Sequence, residues 1–466
     1  MVTVDSERCA YCGGCVSVCP VEALTLAETR LLVGDACIEC GDCAEACPVG
    51  ALQMETARAA RAPLGRRSYD LVVVGAGPGG AVAAQVAARA GLSVLLLEKR
   101  QEIGSPVRCA EGVGHEALIS FIEPDPRWIA AEISQAEVTV VGGGETRSRR
   151  AAGGRGYVLE RRVFDRVLAE RAAIAGAEVR VKTAVTGLLR EDGRVVGVAV
   201  RRGDFFAHFG GSCTPDGSAD AQLGGSCTPD GGAGELEIAA KVVIAADGVE
   251  AQIGRWAGLD LALPLGDTMV CAQYLLSGIE HDPTCTSYTI GYEAAPGGYA
   301  WVFPKGAGLA NVGLGVQADL WRSAGGQLQP PTATVLDYLN RFIETRPALA
   351  RGRPVTLIAG NVPVALAPAR LATDGLMVVG DAARQVDPLT GGGIINAMTA
   401  GRLAAETAVA AIAADDTSAA FLGRYGEAWH STVGRKMQRN YRLRTRFAPD
   451  QRTDERFVQA FMLATK

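Results

Sequence analysis

Apolar runs of strand length alternate with longer Ala-rich stretches along the chain, which is typical of an α/β protein. Residues 69–74 form one such run, residues 81–90 have helical length and composition, and residues 94–97 form a second run. Between residues 262 and 360 the apolar runs are short and separated by Gly and Pro, which predicts a sheet-rich second domain. The Ala-rich stretch of residues 391–414 predicts a long helix.

Two further apolar runs, residues 195–200 and 235–240, predict the strands of a hairpin. The segment between them is unusual, because the sequence Gly-Gly-Ser-Cys-Thr-Pro-Asp-Gly occurs at residues 210–217 and again at 224–231. We therefore interpret residues 203–234 as an inserted hairpin loop outside the core.

The C-terminal tail predicts an amphipathic helix, since apolar residues recur at every fourth position. These residues are Tyr425, Trp429, Val433, Met437 and Tyr441. Basic residues crowd the same stretch, namely Arg435, Lys436, Arg439, Arg442, Arg444 and Arg446. Such a helix either packs on the preceding domain with a solvated basic face, or docks on anionic lipid.

The 466 residues carry a formal net charge of −5, which argues against nucleic acid as the main partner. The N-terminus is rich in cysteine and has no apolar secretory signal. No uncharged apolar stretch reaches the roughly 18 residues that a membrane-spanning helix needs. We therefore expect a cytoplasmic protein, with peripheral contact at the inner face of a membrane as one option.

Two cysteine motifs with the same spacing stand near the N-terminus. The first consists of Cys9, Cys12, Cys15 and Cys19, and the second of Cys37, Cys40, Cys43 and Cys47, each followed by proline. This duplicated run resembles bacterial ferredoxins with two [4Fe–4S] clusters, in which the fourth cysteine of each motif binds the other cluster. We therefore predict one cluster on Cys9, Cys12, Cys15 and Cys47, and a second on Cys37, Cys40, Cys43 and Cys19. A zinc site rarely uses this triple spacing before proline.

The apolar run at residues 69–74 leads into the turn Gly75-x-Gly77-x-x-Gly80, and the second run ends at Glu98. Strand, glycine turn, helix, strand and acid in this order are typical of a dinucleotide-binding unit. Gly75 permits the tight turn, Gly77 lets the backbone approach a pyrophosphate, and Gly80 lets helix and strand pack closely. The first N–H groups of the helix face the pyrophosphate, and Glu98 accepts hydrogen bonds from the ribose.

Two short motifs resemble the geranylgeranyl reductase family of FAD enzymes. Residues 108–112 match its Arg-Cys-Ala-Glu-Gly signature. Residues 296–304 match its Pro-x-x-Tyr-x-Trp-x-Phe-Pro motif at every fixed position. The resemblance covers roughly residues 69–445 outside the insertion. It implies an FAD-binding Rossmann domain like that of p-hydroxybenzoate hydroxylase, with an interleaved β-sheet substrate domain.

The resemblance implies FAD, rather than NAD, as the ligand of the glycine turn, because residues 241–248 and 375–383 match further flavin-side motifs. It places these residues at the cofactor: Gly75, Gly77, Gly79, Gly80, Glu98, Cys109, Ala110, Gly112, Arg161, Ala184, Asp247, Gly380, Asp381, Gly392, Gly393 and Ile394. Cys109 and Tyr299 are candidate proton donors, because the family places both near the flavin. An ordinary buried thiol is the alternative for Cys109.

Three aromatic residues of the second motif are candidates for binding the substrate. Tyr299, Trp301 and Phe303 alternate along one predicted strand, so their side chains share a face. An aromatic face of this kind suits a long isoprenoid chain, whereas core packing is the ordinary alternative for each ring.

The resemblance implies a reductase that saturates C=C bonds in isoprenoid chains of lipids or other prenylated compounds. An external low-potential donor would feed the two clusters, and FAD would convert single electrons into the pair that an alkene needs. Two alternatives remain open. One is an enzyme like electron-transfer-flavoprotein:quinone oxidoreductase, and the other is a non-catalytic electron-relay subunit.

The predicted fold class is a multidomain combination of α/β and α+β. We divide the chain into a two-cluster ferredoxin domain (1–56), a linker (57–68), an FAD-binding domain in two parts (69–261 and 361–414), a β-rich substrate domain (262–360) and a C-terminal helical tail (415–466).

Overall fold

The structure is a computed structural model, and it describes residues 2–6, 8–27, 30–54, 67–201, 235–321 and 333–465. Most of the predicted linker and the 203–234 insertion, with its repeated segment, lie outside the described residues. The interpretation of the insertion as a hairpin loop therefore stays a prediction.

Residues 2–54 fold as two similar halves, in keeping with the duplicated cysteine motif. Their elements are β1 (Val2–Val4), α1 (Gly14–Ser17), β2 (Leu24–Ala27), β3 (Arg30–Val33), α2 (Asp42–Glu45) and β4 (Leu52–Met54). β1 pairs with β4 and β2 pairs with β3, both antiparallel. Each short helix follows a glycine at positive φ, Gly13 at 75° and Gly41 at 91°. Glycine is favoured at these positions because a side chain is strained there.

The helices and strands of the larger part follow in two groups. From residue 67 to residue 201 they are β5 (Arg67–Val74), α3 (Pro78–Arg89), β6 (Val94–Leu97), β7 (Gly112–Gly114), α4 (His115–Leu118), β8 (Ile129–Gly142), β9 (Glu145–Leu159), α5 (Arg161–Ile174), β10 (Glu178–Arg180), β11 (Ala184–Glu191) and β12 (Arg194–Arg201). From residue 235 they are β13 (Glu235–Ala245), α6 (Gln252–Trp256), β14 (Thr268–Ser277), β15 (Cys285–Ile290), β16 (Tyr299–Pro304), β17 (Leu309–Gln317), α7 (Val335–Glu344), α8 (Pro347–Ala350), β18 (Arg353–Pro363), β19 (Ala372–Thr373), β20 (Leu376–Val378), α9 (Ile394–Ala413), α10 (Ala419–Ser431), α11 (Val433–Arg446) and α12 (Glu455–Ala464).

The first eight-stranded sheet carries the dinucleotide turn. Its order is β10–β6–β5–β13–β12–β11, and β20, followed by β19, pairs with the end of β13. β10, β6, β5, β13 and β20 run parallel, so the carboxyl ends of the central strands meet at one edge. Parallel strands are buried on both faces, and β6 is accordingly buried along its whole length. The predicted hairpin is confirmed, since β12 and β13 pair antiparallel.

The second eight-stranded sheet has the order β18–β14–β17–β16–β15–β8–β9–β7. β14 to β18 come from the region where short apolar runs predict a sheet. β7, β8 and β9 come from residues 112–159, which we assign from sequence to the FAD-binding domain. β8 joins β15 in parallel, so the substrate sheet is assembled from two distant segments. An apolar pattern predicts a strand but not its partner, because pairing depends on tertiary contacts.

The C-terminal tail consists of α10, α11 and α12 rather than one continuous helix, with a break at Thr432. Tyr425 and Trp429 are fully buried in the core of the first sheet, which supports packing on the FAD-binding domain. Arg444, one of the basic residues of this stretch, is buried and forms an ion pair with Asp267 at 3.0 Å. In the part of the chain that the structure describes, no helix has both the length and the apolar character to cross a membrane.

Candidate active site

One cavity of about 460 Å³ connects the two eight-stranded sheets, and this volume is typical of a small-molecule site. It begins at the carboxyl ends of β5, β6 and β13 and extends along β14, β16 and β18. It is lined by most of the predicted site residues, namely Gly75, Gly77, Gly79, Gly80, Glu98, Cys109, Ala110, Arg161, Ala184, Asp247, Tyr299, Trp301, Gly380, Asp381, Gly393 and Ile394. Gly112, Gly392 and Phe303 are described residues of the predicted site that do not line it.

The turn from β5 into α3 is tight and leaves one position open. Gly75 has φ 105°, and a Cβ there would lie 2.3 Å from the Ala246 carbonyl oxygen. A Cβ on Gly80 would lie 1.9 Å from the Gly75 carbonyl oxygen, so a side chain does not fit at either residue. At Gly77 a Cβ would meet no atom within 4 Å, because the residue faces the cavity. Gly77 is also the N-cap of α3 and has no side chain to bond the first N–H groups, which suits an anion.

Three carboxylates stand at strand ends around this turn. Glu98, after β6, accepts hydrogen bonds from the backbone N–H groups of Ala76 at 3.1 Å and Arg100 at 2.9 Å. The carboxylate of Asp247, after β13, accepts a hydrogen bond at 3.0 Å from the backbone N–H of Ile253 in α6. Its Oδ1 is buried and has no hydrogen-bond partner among the described residues. Asp381, the third carboxylate, follows β20. Burial raises the pKa of Asp247 and of Asp381 above the ordinary value of an aspartate. A buried oxygen left without a donor indicates a ligand that supplies one.

Arg161 opens α5 at the wall of the cavity. Its guanidinium donates two hydrogen bonds of 2.7 Å to the carboxylate of Asp165, one helical turn along. Burial lowers the pKa of Arg161, but the Asp165 carboxylate outweighs this effect and holds the pKa above its usual range. A charged, preorganised guanidinium at this position suits a pyrophosphate or ribose.

The loop of residues 108–112 lies between the two sheets. The Cys109 Sγ accepts a hydrogen bond from the Glu111 N–H at 3.2 Å, and the Cys109 carbonyl oxygen accepts one from Gln273 Nε2 at 3.2 Å. The Ala110 carbonyl oxygen accepts a hydrogen bond from Asn311 at 3.3 Å. Burial raises the pKa of the Cys109 thiol, so the thiol keeps its proton at neutral pH.

Glu111 is a site residue that the sequence motif contains but whose role sequence reasoning missed. Its Oε1 accepts a hydrogen bond from the Arg161 N–H at 2.8 Å. Its Oε2 accepts hydrogen bonds from Lys305 Nζ and from Asn311, each at 2.7 Å. The side chains of Glu111 and Lys305 are each only 4% exposed, so the ion pair between them is buried. This pair holds the loop against α5 and the second sheet.

The loop of residues 388–393, just before α9, is held by a second buried carboxylate. The Asp387 side chain accepts hydrogen bonds from the Leu389 N–H at 3.0 Å and from Asn440 Nδ2 at 2.8 and 3.0 Å. The Gly392 carbonyl oxygen accepts a hydrogen bond from the Asp387 N–H at 2.9 Å, so Gly392 shapes the loop although it does not line the cavity. No sequence signal links α11, which carries Asn440, to this loop.

The three aromatic candidates have different positions. Tyr299 and Trp301 line the cavity, and the Tyr299 hydroxyl donates a hydrogen bond to the Thr390 carbonyl oxygen. Burial raises the pKa of Tyr299 well above its ordinary value. Phe303 instead packs against Gly112, where a Cβ would lie 3.0 Å from its ring. Phe303 is not among the residues that line the cavity, so a direct contact of its ring with substrate stays a prediction.

Sequence reasoning missed several other residues that line the same compartment. Phe461 of α12 lies 5.1 Å from Tyr299 between ring centres, and Phe457 lines the cavity beside it. On β14, Cys271 and Gln273 face the cavity, and Gln273 Oε1 accepts a hydrogen bond from the Trp301 indole at 2.8 Å. Burial raises the pKa of Cys271 to about 12. None of the four belongs to a motif, so only the fold brings them together.

The cysteines of each N-terminal motif stand close together. Burial raises the pKa of Cys15, and the thiols of Cys9 and Cys12 raise it further. The same causes act on Cys43, with Cys40 and Cys37 as its neighbours. Cys19 and Cys47 occupy equivalent positions, since each Sγ accepts a backbone hydrogen bond four residues on, from Ala23 at 3.3 Å and from Ala51 at 3.1 Å. Within residues 2–54 as described, no three ligands are spaced for a single metal ion, and an iron–sulfur cube holds its thiolates farther apart than one ion does.

The residues around the glycine turn fit FAD. The open position at Gly77, the uncapped start of α3 and the orphaned Asp247 oxygen together provide for a pyrophosphate and for a polyhydroxyl chain. The adjoining compartment leaves room for a second, apolar molecule along Tyr299 and Trp301. Fold and site thus define an FAD-dependent oxidoreductase that carries an iron–sulfur domain in the same chain.

Three family descriptions match the sequence: geranylgeranyl reductase catalytic domain over residues 267–362, FAD dependent oxidoreductase over residues 70–228, and 4Fe-4S dicluster domain over residues 1–48. A digeranylgeranylglycerophospholipid reductase of Methanosphaerula palustris is 46% identical over 387 residues, which cover 82% of this chain and 87% of the relative. The chain belongs to the geranylgeranyl reductase family, as the motifs at residues 108–112 and 296–304 predict. Its cofactors are FAD and iron–sulfur clusters.

Further similarities agree with this assignment. A digeranylgeranylglycerophospholipid reductase of Methanosarcina mazei is 47% identical over 369 residues, covering 78% of this chain and 81% of the relative. A geranylgeranyl bacteriochlorophyll reductase-like crystal structure from Thermoplasma acidophilum has a TM-score of 0.72 and 36% identity, covering 86% of this chain and 96% of the other. The flavin-dependent brominase Bmp2, at 17% identity, has a TM-score of 0.60 over 85% of this chain and 93% of its own, and shares the fold alone.

Proposed function

We propose that this enzyme saturates C=C bonds in geranylgeranyl or similar isoprenoid chains of lipids. The observation that carries the proposal is the single cavity in which the dinucleotide turn at Gly75–Gly80 continues into a compartment lined by Tyr299, Trp301 and Phe461. Hydride chemistry on an unactivated alkene needs an apolar chain held beside a redox cofactor with water excluded. The names of the relatives from Methanosphaerula and Methanosarcina support the same substrate class.

Electrons reach the cavity from the N-terminal domain. Each [4Fe–4S] cluster passes one electron at a time, and bound FAD supplies the exchange between single electrons and the pair that an alkene takes up. Cys9, Cys12, Cys15 and Cys47 hold one cluster, and Cys37, Cys40, Cys43 and Cys19 hold the other. The two halves approach each other near Gly14, where a Cβ would lie 3.7 Å from Cys12 Sγ and 3.8 Å from the Ala46 carbonyl oxygen. Ala46 directly precedes Cys47, so this approach supports Cys12 and Cys47 as ligands of the same cluster.

Cys109 supplies the proton that completes the saturated bond, and Tyr299 is the second candidate. The Cys109 thiol is buried at the cavity and keeps its proton, since burial raises its pKa. The Tyr299 hydroxyl is committed to the Thr390 carbonyl oxygen. Its ring therefore positions the chain, and its proton is less free than that of the thiol.

The cavity also bears on the two alternatives. A non-catalytic relay subunit needs no apolar compartment beside its flavin, whereas the described cavity has Trp301, Phe457 and Phe461 in its wall. A quinone oxidoreductase would pass its electrons to a quinone and leave no saturated lipid. Product analysis therefore separates the proposed reaction from this alternative.

The reaction is tested under anaerobic conditions. The purified holoenzyme is reduced with dithionite or reduced ferredoxin, mixed with a digeranylgeranyl lipid, and the lipid is analysed by mass spectrometry. We expect the lipid to gain the mass of one hydrogen molecule for each bond reduced. An unchanged lipid in the presence of fully reduced cofactors would refute the assignment, and reduction of an added quinone alone would favour the alternative.

We also propose that α11 contacts the anionic surface of a membrane, with an external low-potential donor supplying the clusters from the aqueous side. The exposed residues of α11 include Arg435, Arg439, Arg442 and Arg446. The apolar residues of the preceding helix, α10, face the core. Each basic residue near an anionic bilayer contributes about 1 kcal/mol. The triple change Arg435→Glu, Arg439→Glu and Arg442→Glu should abolish co-sedimentation with anionic liposomes. Unchanged co-sedimentation of this variant would end the membrane proposal.

A further inference from the structure

One row of paired residues crosses the second sheet at the wall of the cavity. Tyr299 of β16 pairs with Gly315 of β17, and Gly315 pairs in turn with Cys271 of β14. Cys271 then pairs with Gly360 of β18, the last strand of the sheet. All four residues line the cavity, so the row faces it from end to end. With strands about 4.8 Å apart, the row is about 14 Å long.

Taller side chains flank this row on both sides. On one side Trp301 and Gln273 both pair with Gly313, and a Cβ on Gly313 would lie 2.5 Å from the Trp301 ring. The indole therefore lies across Gly313, and its N–H reaches Gln273 Oε1 at 2.8 Å. On the other side Met269 pairs with Val362, and both line the cavity. The first row is thus the floor of a groove that runs from Tyr299 toward the edge of the sheet.

The two glycines of the floor differ in what surrounds them. A Cβ on Gly315 would lie 2.9 Å from Cys271 Sγ, so packing within the sheet explains this glycine. A Cβ on Gly360 would lie 3.9 Å from the Arg108 side chain, which is an ordinary van der Waals contact. The backbone at Gly360 does not adopt a positive φ either. Neither sterics nor backbone conformation therefore requires glycine at residue 360.

A glycine inside a strand weakens the strand, and it often marks a place where a ligand comes close to the backbone. Gly360 is half-buried and faces the same cavity as Tyr299. The bare position therefore leaves the far end of the groove free for a ligand that already occupies the part beside Tyr299.

We propose that Gly360 is a specificity-determining residue that sets the length of the isoprenoid chain the enzyme accepts. The chain lies in the groove from Tyr299 across Cys271, and its distal part passes over Gly360. A side chain at residue 360 fills this last part of the groove, so it excludes a long chain more than a short one. The inference rests on the proposed function and adds to it the path and the length of the chain.

The test compares two lipids with the same head group, one carrying geranylgeranyl chains and the other geranyl chains of half that length. Their kcat/KM values are measured on the reduced holoenzyme of the wild type, Gly360→Ala and Gly360→Val. One methylene group in a hydrophobic pocket changes such a ratio roughly 10–200-fold. We therefore expect Gly360→Val to lower the ratio of geranylgeranyl to geranyl kcat/KM by roughly this factor, and Gly360→Ala to lower it less. Bound FAD, measured by absorption, should stay at the wild-type content.

Gly187→Val is the matched control. Gly187 lies in β11 and does not line the cavity, and its Cβ would lie 3.7 Å from Ala199, which is again an ordinary contact. This variant should keep the wild-type ratio. Equal losses for both lipids in Gly360→Val, or a loss of bound FAD, would show that Gly360 supports the fold or the cofactor and would overturn the inference. An unchanged ratio would overturn it as well, because the chain would then not pass over Gly360.

The wild type provides a test that does not depend on the folding of a variant. A groove that extends to Gly360 predicts a higher kcat/KM for the geranylgeranyl lipid than for the geranyl lipid. Equal values, or a preference for the shorter chain, would refute the role of Gly360 and leave the proposed reaction intact. No reduction of either lipid would refute the reaction itself.

Discussion

At the scale of single residues, the site depends on charges that are buried in pairs across long sequence distances. Glu111 and Lys305 are each only 4% exposed at the side chain, and Glu111 also accepts a hydrogen bond from the backbone of Arg161. The Glu111 carboxylate therefore joins three segments, namely its own loop at residues 108–112, the start of α5 and the residue after β16. Its removal should disturb all three.

Glu111→Gln tests this shared role. Removing the charge leaves the Lys305 ammonium buried with only Glu160 at its side, so the holoenzyme should lose roughly 3–5 kcal/mol of stability, the range for breaking a buried ion pair. Urea denaturation measures the loss. Glu102→Gln, which removes a half-buried partner of the exposed Arg162, is the control and should cost less than about 1 kcal/mol. Equal stability of the two variants would show that Glu111 does not have this role.

Cys109→Ala tests the proton donor. If the thiol supplies the proton, the rate of alkene reduction should fall by about 10²–10⁴-fold, while reduction of the cofactors by dithionite stays unchanged. Because burial raises the pKa of the thiol, the wild-type rate should stay level through neutral pH and fall only above the ordinary cysteine pKa of about 8.5. A wild-type rate that already falls between pH 6 and roughly 8, or an unaffected variant, would exclude Cys109.

The residue scale also shows what sequence can and cannot predict. The glycines of the turn and the residues around Cys109 stand in local motifs with fixed spacing, and the structure brings them to one cavity. Glu111 stands in the same motif, but its role depends on Lys305, which is 194 residues away in the sequence. Cys271 and Gly360 belong to no motif, so nothing local distinguishes them from other core thiols or strand glycines.

At the scale of elements, close approach of backbones positions the cofactor site. α3 meets β5 through Gly80, and it meets α9 through Gly79 and Gly401, where a Cβ on Gly401 would lie 2.1 Å from the Gly79 carbonyl oxygen. These contacts bring the N-termini of two helices to the same cavity, and both offer N–H groups to an anionic ligand.

Gly80→Ala tests the geometry of the turn. The added Cβ would lie 1.9 Å from the Gly75 carbonyl oxygen, so the turn must open and the protein should be purified with little or no bound FAD. Gly423→Ala in α10 is the matched helical control, since its Cβ meets no atom within 4 Å. The control should keep its FAD and gain up to about 1 kcal/mol of stability. Normal FAD content in Gly80→Ala would contradict the proposed tight turn.

Strand positions were easier to predict than strand partners. The β5–α3–β6 unit follows directly from apolar runs around a glycine turn, and the β12–β13 hairpin follows from two flanking runs. The sequence division places residues 112–159 in the FAD-binding domain, whereas their strands β7, β8 and β9 join the second sheet. The choice between two sheets depends on tertiary packing, which a local apolar pattern does not contain. The fourfold spacing of apolar residues in the tail likewise does not reveal the break at Thr432, since α10 and α11 continue the same apolar stripe.

At the scale of the whole molecule, the iron–sulfur domain contacts the flavin domain next to the cavity. The Lys182 ammonium lies 4.9 Å from the centre of the Tyr11 ring, and Tyr11 stands between Cys9 and Cys12. Lys182 directly precedes Thr183 and Ala184, which line the cavity. The first cysteine motif therefore lies close to the proposed cofactor site.

Lys182→Glu tests this contact. A cation on an aromatic face contributes roughly 0.5–2 kcal/mol, so reversing the charge should slow the arrival of electrons at the flavin about two- to thirtyfold in stopped-flow absorption with reduced ferredoxin as donor. Lys241→Glu, which changes an exposed lysine that pairs with the half-buried Asp70, controls for the change in net charge. Equal rates in both variants would mean that the Tyr11 contact does not guide transfer.

The central claim is that electrons entering singly through the clusters leave in pairs on a carbon–carbon double bond. The most direct measurement is an anaerobic single turnover in which reduced holoenzyme is mixed with a geranylgeranyl lipid phosphate, while absorption counts the electrons lost and mass spectrometry counts the bonds saturated. The claim predicts two electrons lost from the clusters and flavin for every bond reduced. Cofactors that stay reduced beside an unsaturated lipid, or oxidation without any saturated product, would contradict it.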